Sequence, residues 1–335
     1  MGGNALKLQT VRLEKKYYEH VAAGTSDVLK QAFPDAKVAV IPAYEEKESF
    51  GDLDILISGI PMDKLREFVE KALVSPEYHQ NGNVLSFGLE ITALLMKRAI
   101  FQIDFITVPD EDFDFALKYF AYNDLGNLIG QTAHGVGLKF GHDGLWYKYI
   151  VDTQLVKEIC ITKDFAVALH LLGYSMFEYN AGFRNLEDIF VFTCKSKFFT
   201  TWNYQLENRN AVGRVRDKKR KTYMDFLEWM KDKNLPSERM PRDHGFLIAA
   251  KERPDVAMEF IHATFDYFRV EKVKKKFNGE FVGLWTGLQG KELGGFMADY
   301  RGNDREAFLK RIESMTSEQV EAHVKRVFEE WEKQL

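Results

Sequence analysis

A chain of 335 residues, 45% hydrophobic and 29% charged, has room for two or three packed domains and is too apolar for wholesale disorder. A formal net charge of −4 excludes a uniformly basic nucleic-acid binder but leaves a local basic face open. Cys160 and Cys194 are too few for a disulfide framework or a cysteine zinc site, residues 1–7 carry no apolar signal core, and no segment approaches about 20 apolar residues. A cytoplasmic protein with no membrane contact is expected.

Residues 8–33 fit a helical face only loosely, and Thr25 and Ser26 after Gly24 are expected to cap a second helical stretch that Pro34 ends. Residues 37–41 read as a buried strand, and 53–57 as another bounded by Gly51 and Gly59. Segment 61–74 has helical spacing with Pro61 in its first turn. Residues 84–108 read as a hairpin: one arm through Leu89, Ile91, Ala93 and Leu95, a turn at Lys97 and Arg98, and a second arm over 100–108. Beyond residue 150 strand signals fade, and amphipathic stretches at 165–177, 186–199, 223–230, 256–270 and 317–331 predict helices. The fold class is therefore α+β: a small mixed or antiparallel sheet followed by a mainly helical C-terminal half.

The chemistry concentrates in Ser49-Phe50-Gly51-Asp52-Leu53-Asp54-Ile55. Two aspartates one residue apart on a strand share a face, where they repel each other unless a cation lies between them. Asp104 is a third lone acid inside an apolar alternating strand, and if the strands are neighbours the three carboxylates converge at one sheet edge. Asp-x-Asp also occurs in turns and calcium loops, but a calcium loop needs further oxygen ligands that Leu53, Ile55, Leu56 and Ile57 do not supply. Three hard oxygen donors suit two Mg²⁺ or Mn²⁺ ions and two-metal phosphoryl transfer.

These residues resemble the DNA polymerase beta superfamily, family X DNA polymerases above all. Glu48 to Leu56 is similar to the acid-bearing strand of that family's palm, and Ile103-Asp104-Phe105-Ile106-Thr107-Val108-Pro109 to the strand of its third acid. The resemblance spans about residues 10–175. It implies a nucleotidyltransferase palm over 1–112, a thumb-like region over 113–175 and a helical C-terminal domain over 176–335. It makes Asp52, Asp54 and Asp104 catalytic metal ligands, with Asp104 nearest the attacking 3′-hydroxyl. Lys47, Ser49 and Gly51 would lie along the triphosphate, Tyr119 and Phe120 under the sugar, and Asp124 and Asn127 near the base. Residues 161–173 would form the last thumb helix.

The chain departs from the family pattern in three places. Ile41-Pro42 replaces the Gly-Ser that opens a phosphate-cradling helix, and Glu45 and Glu46 follow where basic residues are usual. Gln102 stands where an arginine often flanks the third acid, and Tyr122 replaces a thumb glycine.

Arg214, Arg216, Lys218, Lys219, Arg220 and Lys221 form the densest basic run and are candidates for nucleic-acid contact, although charge runs are commonly solvated faces. The glycine-punctuated stretch from Phe277 to Met297 is faintly similar to a helical turn of CCA-adding tRNA nucleotidyltransferases. The expected activity is transfer of NMP from an NTP or dNTP to a DNA or RNA 3′-hydroxyl. The alternatives are an RNA- or tRNA-end enzyme, a protein or small-molecule nucleotidyltransferase, and an inactive nucleic-acid-binding relative. No histidine has metal-ligand spacing, and oligomeric state is not encoded in any motif.

Overall fold

Apolar residues at alternating positions, 53, 55, 57 and 101, 103, 105, form the core face of the first sheet. In the computed structural model, which describes residues 5–73, 75–151 and 153–333, strand β1 (Leu13–Glu14) leads into helix α1 (Lys15–Ala32). There follow β2 (Lys37–Val40), β3 (Ser49–Phe50), β4 (Asp52–Ser58), α2 (Met62–Lys71), β5 (Tyr78–Asn81), β6 (Val84–Glu90), the short α3 (Thr92–Leu95) and β7 (Ile100–Thr107). The five longer strands form one mixed sheet of order β2-β4-β7-β6-β5, in which β4 and β7 run parallel and the other pairs antiparallel. β1 and β3 pair separately. Leu53, Ile55 and Ile57 of β4 and Phe101, Ile103 and Phe105 of β7 are fully buried on one face, packed with Val21 and Leu29 of α1 and Leu65, Phe68 and Val69 of α2. On the opposite face Leu56 packs with Ile41, Val108, Phe113 and Ala116.

After β7 come α4 (Phe113–Phe120), α5 (Leu125–Gly135) and a three-stranded sheet of β8 (Leu138–Gly141), β9 (Gly144–Val151) and β10 (Gln154–Thr162). Helices α6 (Phe165–Leu171), α7 (Met176–Asn180), α8 (Leu186–Cys194), α9 (Ala211–Lys218), α10 (Lys221–Met230) and α11 (His244–Glu252) complete this unit, which ends at Pro254 and leaves out Tyr149–Lys157. The second unit comprises Tyr149–Lys157 and the described residues from Asp255 onward. Its helices α12 (Asp255–Lys274), α13 (Gly279–Thr286), α14 (Gly290–Arg301), α15 (Arg305–Ser314) and α16 (Ser317–Glu332) surround Val273, Phe277, Val282, Phe296, Tyr300, Ile312, Val320 and Val324. The chain is mixed α+β with small sheets and a helical C-terminal half, and no helix among the described residues is long and apolar enough to cross a membrane.

Several expectations change. Gly24 does not divide α1: Thr25 and Ser26 are buried on the same face as Val21 and Leu29, and that burial offsets the roughly 1 kcal/mol cost of a helical glycine. The first hairpin arm ends at Glu90, and Ala93 and Leu95 lie instead in α3, which stops at Met96 in the left-handed region (φ 55°). Strands do not fade at residue 150, because β9 and β10 form a hairpin across it. Helix α6 covers only part of the expected 161–173, Ile161 and Thr162 belonging to β10. Residues 1–4 and Val74, the expected helix end, lie outside the described residues.

Candidate metal centre

The register between β4 and β7 sets the site. Asp52 lies opposite Gln102 and Asp54 opposite Asp104 on adjacent parallel strands, while the intervening Leu53, Ile55, Ile103 and Phe105 point into the core. One carboxylate oxygen from each of Asp52, Asp54 and Asp104 lies within 4.8 Å of the others. The convergence is on the face of two interior strands, not at an outer edge of the sheet.

Burial and mutual repulsion work against the charged forms of these acids. Burial, and then the charges of Asp52 and Asp104, push the Asp54 carboxyl well above its ordinary range, with Lys47 pulling the other way. Burial raises Asp104 to about 6, opposed by hydrogen bonds from Ser86 and Gln102. Gln102, itself buried, donates from Nε2 to both Asp104 oxygens at 2.9 and 3.2 Å, and its Oε1 accepts from the amide of Ala5 at 2.9 Å. Gln102 therefore orients Asp104 without neutralising it. The donor set is all hard oxygen and closely spaced, which fits a divalent ion of the magnesium type.

Lys47 is the cation closest in influence to the acids. Burial lowers its pKa, Asp52 and Asp54 raise it and Arg12 lowers it; its Nζ donates to Asn123 Oδ1 at 3.2 Å and lies 4.6 Å from the Phe50 ring centre. Ser49 is fixed by Arg12, whose Nε donates to its Oγ at 3.0 Å and whose Nη2 donates to its carbonyl at 2.8 Å. Gly51 is buried between β3 and β4. Tyr18 of α1 stacks on Phe50 at 3.7 Å, and burial plus the charges of Asp54 and Asp52 raise its phenol, keeping it protonated. Arg12, Tyr18 and Asn123 carry no motif; only contact with the acids or their neighbours marks them.

The loop before the acids holds no phosphate cradle. No helix begins between β2 and β3, and the amides of Ile41, Glu45, Glu46 and Lys47 donate to the carbonyls of Asp54, Phe183, Arg184 and Tyr44. Arg184 Nη2 pairs with Glu46 at 2.9 Å. Tyr122 donates its amide to the Pro42 carbonyl, and both Tyr122 and Asn123 adopt left-handed backbone (φ 59° and 62°), a strained turn that aims Asn123 at Lys47. The Tyr122 ring packs edge-on against Phe183 and Tyr179, which hold this conformation.

Residues 119–127 meet the basic run. Phe120 stacks on His142 (5.6 Å, 19°) and Tyr119 tilts against Phe140. Gly126 allows this approach, since a Cβ there would lie 2.1 Å from the Tyr119 carbonyl oxygen. Asp124 pairs with Arg220, and Asn127 Oδ1 accepts from Arg216 at 3.3 Å. Arg216 also pairs with the fully buried Asp217, as does Arg209. Arg214 donates to the carbonyls of Leu206, Glu207 and Arg209, and Lys221 pairs with Asp225 at 2.6 Å. Lys218 and Lys219 are exposed. No known protein-family profile matches the sequence, and no curated protein matches it.

Proposed function

We propose that the chain is a metal-dependent nucleotidyltransferase built on a polymerase-beta-type palm. The substrate is an NTP or dNTP: the acceptor 3′-oxygen forms a bond to the α-phosphorus, the bond from that phosphorus to the bridging oxygen breaks, and pyrophosphate leaves. The observation that carries this reading is the in-register meeting of Asp52, Asp54 and Asp104 on two parallel interior strands. Two bound Mg²⁺ or Mn²⁺ ions would supply charge neutralisation and acidify the attacking hydroxyl. The chain's own part is to hold the three carboxylates rigidly, Asp104 through Gln102 and Ser86, and to keep Lys47 nearby on Asn123. With the loop amides engaged, the triphosphate would be met by side-chain cations, Arg12 and Lys47 among them, which would exchange their present bonds to Ser49 and Asn123 for phosphate oxygens.

A second acceptor class has support of its own. Arg214, Arg216, Arg220 and Lys221 are all engaged within the chain, which weakens the basic run as a nucleic-acid track and favours a protein or small-molecule acceptor. Labelled nucleotides with Mg²⁺ or Mn²⁺, offered with primed DNA, single-stranded RNA, tRNA or the protein alone, separate these readings. Label on a nucleic-acid 3′ end supports the first, label retained on protein the protein form of the second, and no label on any nucleic acid together with no nucleotide-dependent release of pyrophosphate in the presence of a cell-extract small-molecule fraction removes both.

A further inference from the structure

Residues 5–8 belong to no helix or strand, yet they are fastened to the acid-bearing sheet at three points. The Ala5 amide donates to Gln102 Oε1 at 2.9 Å. The Leu6 side chain lies over Gly88, the residue register-paired with Gln102 across β6 and β7; a Cβ on Gly88 would stand 3.5 Å from Leu6 Cδ1. The Lys7 and Leu8 amides both donate to the Glu77 carboxylate, at 2.9 and 2.8 Å. The first of these bonds leads to the acids, because Gln102 turns its other end to Asp104 at 2.9 and 3.2 Å.

A primary amide has nearly the same shape either way round, so its partners decide which end faces where. With the Ala5 N–H on Oε1, the Nε2 hydrogens of Gln102 face Asp104. The reverse orientation would set two donors against each other at Ala5 and an oxygen against a carboxylate at Asp104, losing the bonds at both ends. Gln102 is buried, so water is a poor substitute for Ala5. We propose that the Ala5 amide is a positioning group of the metal centre: segment 5–8 is a strap that fixes Gln102, and through it the Asp104 carboxylate, in the orientation that receives a divalent cation. This rests on the centre proposed above and adds to it a part that carries neither acid nor motif.

Proline at position 5 removes the one N–H in question, whereas serine keeps it. Titration of the full chain with Mn²⁺, followed by electron paramagnetic resonance, reads the effect without any turnover. Losing a hydrogen-bond partner of a metal ligand typically costs about tenfold or more in affinity. Gln102→Leu should therefore weaken Mn²⁺ binding about tenfold and Ala5→Pro, one bond further out, about threefold. Ala5→Ser should bind like the wild type. Because Ala5 is exposed, the circular dichroism melt of Ala5→Pro should stay in place. In a Gln102→Leu background Ala5→Pro should add nothing, since the two act through one side chain. Glu77→Ala, which frees the strap at its other end, should act in the same direction as Ala5→Pro. Equal affinity in Ala5→Pro and the wild type, or a further loss in the Gln102→Leu background, overturns the strap and leaves the centre standing. A wild type that binds no Mn²⁺ overturns the centre itself and the strap with it.

Discussion

At the scale of residues, the centre is a conflict between charge and burial. Asp104 binds its proton more tightly in the folded chain than in the unfolded one, about 6 against 3.8. Between those values the folded state holds more protons, so without metal this group makes stability fall as pH rises from about 4 to about 6. Asp54, raised for the same leading reason, adds to the decline. In EDTA, Asp104→Asn should flatten part of this fall in urea midpoint and leave the protein near pH 7 at least as stable as the wild type. An unchanged pH slope in the variant would mean that Asp104 is not the strained group. Arg12 poses a separate question. Because the loop amides are bonded to carbonyls, Arg12→Ala should weaken nucleotide binding about tenfold, the loss of one charge-assisted contact. The melting temperature should move little, since Arg12 is exposed. Calorimetric titration with a nucleotide and Mn²⁺ checks this, and equal affinity would assign the phosphates to other donors.

At the scale of elements, the legible features were those with strong local period. β4 and β7 declared themselves through Leu53-Asp54-Ile55 and Ile103-Asp104-Phe105, and α2 through Leu65, Phe68 and Val69. β5 was not legible, because Tyr78, His79, Gln80 and Asn81 are all exposed and polar, and only pairing with β6 makes them a strand. Gly141-His142-Asp143-Gly144 could have signalled the β8–β9 turn. The basic run showed its charge in the sequence but not its use. Asp217 is fully buried between Arg209 and Arg216, a clamp assembled only when α9 seats. Asp217→Ala leaves two guanidinium groups without their shared partner, and a loss of about 3 kcal/mol is expected. A urea midpoint within experimental error of wild type would make the clamp dispensable.

At the scale of the whole molecule, the two units have separate hydrophobic cores, and the three acids belong to only one of them. Ligand binding stabilises the unit that contains the site. Scanning calorimetry with millimolar Mg²⁺ or Mn²⁺ should therefore raise the melting of the unit containing Asp54 by a few degrees, roughly 2–4 °C per kcal/mol for a body of this size. A second transition should stay fixed. Equal shifts of both transitions would point to metal bound elsewhere or to units that melt as one.

The most direct measurement is the anomalous diffraction of Mn²⁺ in crystals grown with a non-hydrolysable nucleotide. The expected map has two peaks about 3.5–4 Å apart, both against Asp52, Asp54 and Asp104, and loses them in Asp54→Asn. Manganese density away from these carboxylates, or peaks that persist unchanged in the variant, would contradict a two-metal centre at the meeting of β4 and β7.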